Sequence, residues 1–159
     1  MNTKKELISA LQVIPWFQEL SEDHFNKLVE ISHIVEIEKD QTLFSEGDQE
    51  DYLYLVLEGR MAIEIYGPAR GHIRIYTAEP MDAVGWSSVT PIVRQRTASV
   101  RAVLDSRLVA LDAPKLRALC EEDHHLGYII MRRLANIVAG RLMVTRLQLL
   151  DLFAHPAKD

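Results

Sequence analysis

The chain has 159 residues, of which 48% are hydrophobic, and this is enough for one globular domain with a substantial core. Its 18 basic and 23 acidic residues give a formal charge of −5, which argues against broad electrostatic binding to DNA or to an anionic membrane. The single cysteine, Cys120, excludes an intrachain disulfide, and no apolar run approaches the roughly 20 residues that span a bilayer, so a cytoplasmic protein that does not enter a membrane is predicted.

Residues 1–32 are predicted to form short N-terminal helices. Apolar side chains at Leu7, Leu11 and neighbouring positions recur at helical spacing, and Pro15 is expected to stop this first helix. Ser21 precedes two acidic residues and a second apolar stripe, so it is predicted to be the N-cap of a second short helix.

Residues 33–112 show a different pattern, in which apolar and polar side chains alternate with period two. The alternating segments are "HIVEIE", "YLYLVLEG", "RMAIEIY", "HIRIYTA", "ASVRAV" and "RLVALD". Glycines or acidic turns separate several of them, and "YGPARG" is typical of a hairpin connection. Several short strands at close spacing predict an antiparallel sandwich, barrel or roll.

Residues 113–159 return to helical spacing. Asp112 is predicted to cap a helix that has Pro114 in its first turn, and a long helix is predicted over about 126–153. This long helix carries two apolar seams, so it needs two surfaces to bury them. One seam contains Met131, Leu134, Val138, Leu142, Thr145, Leu149 and Leu152, and the other contains Ile130, Ile137, Val144 and Leu147. One surface is expected to be the β-domain and the second the same helix of another subunit, which gives a homodimer; alternatively, the N-terminal helices cover the second face.

Catalytic and metal-binding patterns have little support in the sequence. The segment "GWSSV" lacks the second glycine of a hydrolase nucleophile elbow, so Ser87 is not predicted to be a nucleophile. His124 and His125 follow Cys120 and three acidic residues, but adjacent histidines on a helix point about 100° apart and the spacing matches no zinc pattern. The protein is therefore predicted not to be an enzyme, and this segment is predicted to be a solvated helix junction without a metal.

Phosphate binding has better support, in the segment from Gly85 to Ser99. Gly85 ends a predicted strand, and Ser87 and Ser88 can open a short helical turn whose backbone N–H groups attract an anion. Arg96 follows on the next strand, where its guanidinium can pair with phosphate oxygens. Thr97 and Ser99 supply hydroxyl groups and Ala98 allows a close approach of a ligand. The alternative is a polar edge strand with a solvent-facing arginine.

Four stretches together resemble the cyclic nucleotide-binding domains of the catabolite-activator and protein-kinase-regulatory superfamily. "IPWFQELSEDHFNKL" is similar to the opening helical segment of that family, and "VEIEKDQTLFSEGDQEDYLYLVLEGRMAI" to its first strands, including the turn glycines Gly47 and Gly59. "MDAVGWSSV" and "RTASVRA" lie where its phosphate-binding cassette is expected, and "GRLMVTRLQLLDLF" resembles its long dimer helix. The resemblance implies a mainly β fold with flanking helices: a double-stranded β-helix, or jelly-roll-like β-roll, over residues 33–112.

The resemblance also implies a ligand, cyclic AMP or cyclic GMP. Gly85, Ser87 and Ser88 would hold its phosphate, and Arg96 would neutralise the charge. The family usually has a glutamate after that glycine, which accepts a hydrogen bond from the ribose 2′-hydroxyl, whereas this chain has Trp86. Loss of a hydrogen bond to a charged group, worth roughly 1.5–3 kcal/mol, is expected to weaken binding of cyclic AMP roughly tenfold to a hundredfold. Trp86 would instead stack on a base, fill the ribose space or select another ligand.

The output implied by the resemblance is signalling to a separate partner. Thr145 and Arg146 match the positions from which activator-type relatives contact the purine across the dimer. The sequence ends at Asp159, shortly after the long helix, so no helix-turn-helix and no direct binding to nucleic acid are predicted. The prediction is a homodimeric ligand sensor that acts on an effector protein. The alternative is a degenerate domain without a small ligand, which serves as a dimerisation or interaction scaffold.

Overall fold

The computed structural model describes residues 2–49, 51–90 and 95–155. Its helices are α1 (Asn2–Gln12), α2 (Pro15–Gln18), α3 (Glu22–Glu30), α4 (Ala113–Glu122) and α5 (His124–Ala154). Its strands are β1 (Ser32–Ile37), β2 (Thr42–Phe44), β3 (Tyr52–Glu58), β4 (Met61–Gly67), β5 (Gly71–Ala78), β6 (Ala83–Val84), β7 (Ser99–Ala102) and β8 (Ser106–Asp112).

The strands form two four-stranded antiparallel sheets. The strand order is β1-β8-β3-β6 in the first sheet and β2-β7-β4-β5 in the second, so the chain passes repeatedly from one sheet to the other. The predicted hairpin at "YGPARG" joins β4 to β5, where Gly67 faces Gly71. The predicted mainly β fold with flanking helices is confirmed, and the roll is the correct choice among sandwich, barrel and roll.

The period-two pattern of β3 explains how the first sheet separates two core clusters. Leu53 and Leu55 point to one face, where they pack with residues of the N- and C-terminal helices in what we call the helix-side core. Tyr54 and Val56 point to the other face, between the two sheets, in what we call the roll core. Alternating side chains on a strand face opposite ways, so a strand buried on both faces is apolar or aromatic throughout.

The N-terminal helices follow the predicted caps with one difference. The Ser21 hydroxyl accepts a hydrogen bond from the backbone N–H of His24 at 3.2 Å, so Ser21 is confirmed as the N-cap of α3. Pro15 does not merely stop α1; it also lies in the first turn of the short helix α2. Proline tolerates that position because its missing N–H has no partner in the first turn of a helix.

The C-terminal helices also begin at the predicted cap. Asp112 accepts a hydrogen bond from the backbone N–H of Lys115 at 2.9 Å, which confirms it as the N-cap of α4. Asp123 caps α5 through the N–H groups of His125 and Leu126, both at 3.1 Å. No helix within the described ranges combines the length and the apolar character that a membrane crossing requires.

Candidate functional site

The predicted cassette starts with a short turn after β6. Gly85 has a φ of +80°, in the left-handed region that glycine adopts without a steric penalty, and the short 3-10 helix Trp86–Val89 begins directly after it. The backbone N–H and the hydroxyl of Ser88 both donate to the Gly85 carbonyl, at 3.2 and 2.7 Å. The predicted helical turn is therefore present. Residues 91–94 of the cassette lie outside the described residues.

Arg96 reaches this turn from the segment before β7 and is buried, with 4% of its surface exposed. Its Nη1 donates to the Gly85 carbonyl at 3.1 Å, and its Nη2 donates to the Tyr52 carbonyl at 2.7 Å. The guanidinium carbon lies 4.0 Å from the centre of the Phe44 ring, within the range of a cation–π contact. The alternative of a solvent-facing arginine is therefore wrong, because packing and hydrogen bonds hold this side chain inside the roll.

The approach of Arg96 to the turn depends on the missing side chain of Gly85. A Cβ atom at Gly85 would lie 2.5 Å from Nη1 of Arg96 and 3.1 Å from the Tyr52 carbonyl oxygen. The first distance is shorter than any tolerated carbon contact, so a side chain at this position would displace the guanidinium. The glycine and the arginine of the predicted cassette thus meet at one place in the fold.

A cavity of about 30 Å³ lies where Arg96 and the turn meet. Six of the ten predicted ligand-binding residues line it: Gly85, Trp86, Ser87, Arg96, Thr97 and Ala98. The rest of the lining is apolar and consists of Phe44 of β2, Ile63 of β4, Val84 of β6 and Val100 of β7. Small-molecule sites measure about 300–1,000 Å³, so the cassette is closed in this conformation and has room for about two water molecules.

The other four predicted ligand-binding residues do not line this cavity. Ser88 is buried and its hydroxyl stabilises the turn, while the Ser99 hydroxyl accepts a hydrogen bond from the backbone N–H of Glu46 at 2.8 Å. Thr145 and Arg146 are exposed on the C-terminal half of α5. Within a single copy of the chain, these two side chains are therefore separate from the cassette.

Trp86 stands where the resembling family usually has a glutamate. It is partly buried, packs against the helix-side core and lines the cassette cavity. Its indole offers one hydrogen-bond donor and no acceptor, so it does not reproduce the carboxylate. Trp86 is therefore both a wall of the cavity and a member of the core.

An aromatic wall around Arg96 is the part of the site that the sequence analysis missed. The rings of Phe44 and Tyr54 stack with their centres 6.0 Å apart, and Tyr54 also lies within 6.0 Å of the guanidinium. Burial raises the pKa of Tyr54 above its ordinary value, although the positive charge of Arg96 lowers it in part. The available signal was the alternation in "YLYLVLEG", which places both tyrosines of that segment on one face of β3.

A second opening lies between α5 and the turn that joins β5 to β6. This cleft has a volume of about 300 Å³ and is lined by Trp16, Tyr76, Met81, Asp82, Ala83, Asn136, Ile137, Gly140, Arg141 and Val144. Arg141 donates to the Ala83 carbonyl at 2.6 Å, and Gln148 donates to the Ile75 carbonyl at 2.8 Å. The analysis of the sequence missed Arg141, although it lies at helical spacing on the second apolar seam, between Ile137 and Val144.

The histidine-rich junction before α5 is part of a charge cluster. The side chains of Asp23, His24 and Asp123 place one potential metal ligand each within 4.8 Å of one another. His24 Nε2 already donates to Asp123 at 2.6 Å, and the Lys27 ammonium lies 3.0 Å from Asp23 and 3.8 Å from Asp123. The pKa of Asp123 is lowered, first by its hydrogen bond from the N–H of Leu126 and then by its contact with His24. The Lys27 ammonium and the hydrogen bonds to Asp123 thus stabilise these carboxylates within the chain.

Comparison with known proteins identifies the family of the chain. The cyclic nucleotide-binding domain family matches residues 34–123, which is more than half of the chain. A putative potassium channel protein of Rhodopseudomonas palustris is 30% identical over 134 residues. That match covers 84% of this chain and 31% of the channel protein, so the chain spans about a third of the length of this relative.

Two solved structures extend the comparison to the fold. A putative cyclic nucleotide-binding protein of Geobacter metallireducens matches 84% of this chain and 96% of its own, with 26% identity and a TM-score of 0.73. The catabolite activator protein of Thermus thermophilus matches 88% of this chain and 63% of its own, with 24% identity and a TM-score of 0.69. With the family match and the geometry of the cassette, these findings show that the chain belongs to the family of cyclic nucleotide-binding domains.

Proposed function

We propose that this chain is a regulatory sensor that binds a cyclic nucleotide, or a related phosphate ligand, in the cassette and signals through α5. The observation that carries the proposal is the meeting of Arg96 and Gly85 at one cavity inside the roll. An arginine held against an open backbone turn is the arrangement that binds a phosphate, because its planar fork donates two parallel hydrogen bonds to phosphate oxygens. Gly85, Trp86, Ser87, Ser88, Thr97, Ala98 and Ser99 are the proposed surroundings of the ligand.

The closed cavity gives the proposal a mechanism. Arg96 donates to the carbonyls of Gly85 and Tyr52, and a bound phosphate would accept charge-assisted hydrogen bonds from the same guanidinium, which are stronger than bonds to carbonyls. Because about 30 Å³ does not accommodate a nucleotide, binding requires the cassette to move outwards. Arg117 of α4 donates to the Ser88 carbonyl, and Arg141 of α5 donates to the Ala83 carbonyl, so both helices are attached to the segment that moves. A ligand that prefers the open cassette therefore biases the position of α5.

The second half of α5 supplies the proposed dimer interface. Leu142 is 67% exposed and Leu149 is 53% exposed, although both are apolar. Five further large apolar side chains in the same half are exposed: Met143, Leu147, Leu150, Leu152 and Phe153. Contiguous apolar surface of this kind marks an interaction site. The same half of a second copy matches it in character, and such a dimer would bring the partner copy's Thr145 and Arg146 towards the ligand.

Titration calorimetry with cyclic AMP and cyclic GMP tests the proposal. Wild type is compared with Arg96→Ala and Arg96→Lys, and Arg70→Ala, an exposed arginine in the β4–β5 hairpin, is the matched control. Arg96→Ala is expected to remove roughly 2–5 kcal/mol of binding free energy, the cost of losing one side of a buried charge pair. The lysine variant is expected to recover only part of this loss, because an ammonium does not reproduce the fork. Equal affinities for wild type and Arg96→Ala would contradict the proposal.

Trp86→Glu is the converse test in the same assay. It restores a carboxylate where the resembling family has one, so it is expected to raise the affinity for cyclic AMP. A rise of roughly tenfold corresponds to the hydrogen bond to the ribose that the tryptophan does not make. No change in affinity would show that Trp86 does not face the ribose.

A scaffold without a small ligand is the second candidate, favoured by the closed cavity and by Trp86. In this case the cassette residues serve only to hold the turn, and α5 serves only for dimerisation. Native mass spectrometry of freshly purified protein distinguishes the two candidates. A co-purified nucleotide that is lost in Arg96→Ala supports the sensor. No bound species, together with no calorimetric signal even from Trp86→Glu, supports the scaffold.

A further inference from the structure

The sheet edges in the described part of the chain are protected to different degrees, and the edge at β1 is the open one. At the opposite edge of the same sheet, β6 has only two residues. In the second sheet, β2 has three residues and an irregular register, and β5 is covered by α5, where Gln148 donates to the Ile75 carbonyl. Short, irregular or covered edges do not pair readily with other chains. β1 has six residues in an uninterrupted register with β8, so it lacks these protections.

Alternate residues of β1 turn their backbone groups away from the sheet. The Asp112 N–H donates to the Ile31 carbonyl at 2.9 Å, which makes these two residues a hydrogen-bonded pair of the β1–β8 ladder. Bonded and non-bonded pairs alternate along an antiparallel ladder. Ile34 and Glu36 therefore lie in non-bonded pairs, and their N–H and C=O groups face the open side of β1. Among the described residues, none makes a hydrogen bond with these four backbone groups.

Two clefts lie along β1 and leave room beside it. One has a volume of about 360 Å³ and is lined by Ser32, His33 and Ile34 together with residues of α1 and α3. The other has a volume of about 440 Å³ and is lined by Glu36, Ile37 and residues of β3 and β8. Five of the six residues of β1 thus line one cleft or the other, so a second chain could approach along most of the strand.

The cleft at the end of β1 carries a surplus of negative charge. Five carboxylates lie there with two cations: Glu6, Glu36, Glu38, Glu58 and Asp105, with Lys39 and Arg107. The Arg107 guanidinium is bonded to Glu6 and lies 3.6 Å from both Glu36 and Glu58. The side chains of Glu36 and Glu58 are nevertheless 81% and 70% exposed. This surface attracts a positively charged partner, whereas a second copy of the chain would bring the same negative charge to it.

The side chains of β1 specify which residues such a partner would place beside them. Ile34 packs against the helix-side core, and Glu36, two residues later, lies on the same face of the sheet. Residues directly opposite each other on neighbouring strands interact through their side chains. An apolar residue therefore suits the position opposite Ile34, and a lysine or arginine two residues away suits the position opposite Glu36.

We propose that β1 binds an extended, positively charged segment of a partner protein, which adds to the first sheet as a further strand. The backbone of the segment bonds to the N–H and C=O groups of Ile34 and Glu36. Its apolar and basic side chains alternate along the face that meets the two clefts. Strand addition of this kind takes its affinity from main-chain hydrogen bonds and its specificity from alternate side chains.

Peptide binding measured by fluorescence anisotropy tests the proposal. The probe is a labelled eight-residue peptide that repeats lysine, threonine, valine and threonine, so that lysine and valine share one face. One control peptide has glutamate in place of lysine. The other is the probe methylated on the backbone nitrogens of its lysines and valines, which removes the donors that would face β1. We expect the wild type to bind the probe saturably, and both controls at least about tenfold more weakly.

Two substitutions at one position separate charge from backbone. Glu36→Gln removes the charge and is expected to weaken binding of the probe about two- to fivefold. Glu36→Pro also removes the outward N–H and is expected to weaken binding about tenfold or more. An edge strand tolerates proline where its N–H faces away from the sheet, and thermal melts check that this variant is folded. Glu121→Gln, at an exposed glutamate of α4, is the matched control and should bind like the wild type.

Amide hydrogen exchange followed by NMR locates the binding. The amides of Ile34 and Glu36 are expected to exchange readily in the free protein and to be protected by the probe, while the amide of Val35 is protected in both states. Protection of Ile34 and Glu36 in the free wild type would show that the edge is already occupied, for example by a second copy, and would overturn the inference. Equal binding of the methylated peptide, or no saturable binding up to about 1 mM probe, would overturn it as well.

Discussion

Gly85→Ala tests the contact on which the cassette is built, and its effect can be derived from the structure. At a φ of +80°, an alanine is strained by about 1–2 kcal/mol relative to glycine. Its Cβ would also lie 2.5 Å from Nη1 of Arg96, so the guanidinium has to leave the Gly85 carbonyl. The lost hydrogen bond from the charged guanidinium adds about 1.5–3 kcal/mol. We expect a total destabilisation of about 2.5–5 kcal/mol.

Gly71→Ala is the matched control for this experiment. Gly71 has a similar φ of +72°, but no atom lies within 4 Å of the position that its Cβ would take. It is therefore expected to show the backbone strain alone, about 1–2 kcal/mol. Denaturant unfolding, with the slope checked for constancy, measures both values on one scale.

The excess cost of Gly85→Ala over Gly71→Ala should depend on Arg96. In an Arg96→Ala background the contact with the guanidinium is absent and only the close approach to the Tyr52 carbonyl remains, so the excess cost of Gly85→Ala over Gly71→Ala is expected to shrink. This non-additivity is the signature of two residues in contact. Equal costs at the two glycines in the wild-type background would refute the packing of Arg96 against the turn.

Two further predictions concern α5 and the core. Replacing Leu142 and Leu149 by glutamate is expected to give monomers in sedimentation experiments. The control Leu104→Glu, at an exposed leucine outside the helix, should leave the oligomeric state of the wild type unchanged. A monomeric wild type would contradict the proposed interface. Burial raises the pKa of the Cys120 thiol to about 11 from an ordinary 9.0. Because only the thiolate reacts, alkylation of Cys120 at pH 8 should be about a hundredfold slower in the native protein than in the unfolded protein. The rate in the native protein should increase as the pH approaches 11. Equal rates in native and unfolded protein would show that the thiol is not buried.

The elements that sequence analysis predicted well are those specified by local chemistry. Ser21 and Asp112 cap their helices through hydrogen bonds to N–H groups three residues later, and such bonds need no tertiary partner. The alternation of the strands follows from which face of each strand is buried. Gly85 and Arg96 were singled out by their residue types, but only the resemblance to a known family favoured the cassette over a polar edge strand.

The parts that sequence analysis could not supply depend on long-range packing. Phe44 lies against Arg96 only because β2 pairs with β7, which brings the strand that carries Phe44 beside the segment that leads into β7. Ser99 was predicted to offer its hydroxyl to the ligand, and in the structure that hydroxyl accepts a hydrogen bond from the backbone N–H of Glu46, while the Ser88 hydroxyl donates to the Gly85 carbonyl. Serine hydroxyls readily bond to nearby backbone groups, and sequence alone does not tell which partner prevails.

The sequence did not predict which surfaces bury the apolar faces of α5, because the two halves of this helix have different neighbours. The first half packs into the helix-side core through Leu126, Ile130 and Leu134, in contact with the N-terminal helices. For this half of the helix, the structure agrees with the alternative prediction that the N-terminal helices cover the second apolar face. The C-terminal part, with Leu142 and its neighbours, remains exposed. The apolar pattern is continuous along the helix, so the sequence does not show at which residue α5 stops packing against the rest of the chain.

In the proposed mechanism, this division of α5 determines which part of the helix moves on ligand binding. Displacing the first half would expose buried leucines, at about 1.5–3 kcal/mol for each side chain. The second half is attached to the roll by hydrogen bonds to backbone carbonyls from Arg141, about 1.5–3 kcal/mol for a charged donor, and from Gln148, about 1 kcal/mol. Differential binding of a ligand that amounts to a few kcal/mol is therefore enough to release the second half but not the first. The proposed dimer interface lies in that second half, so release of Arg141 from Ala83 would act directly on the position of the partner subunit.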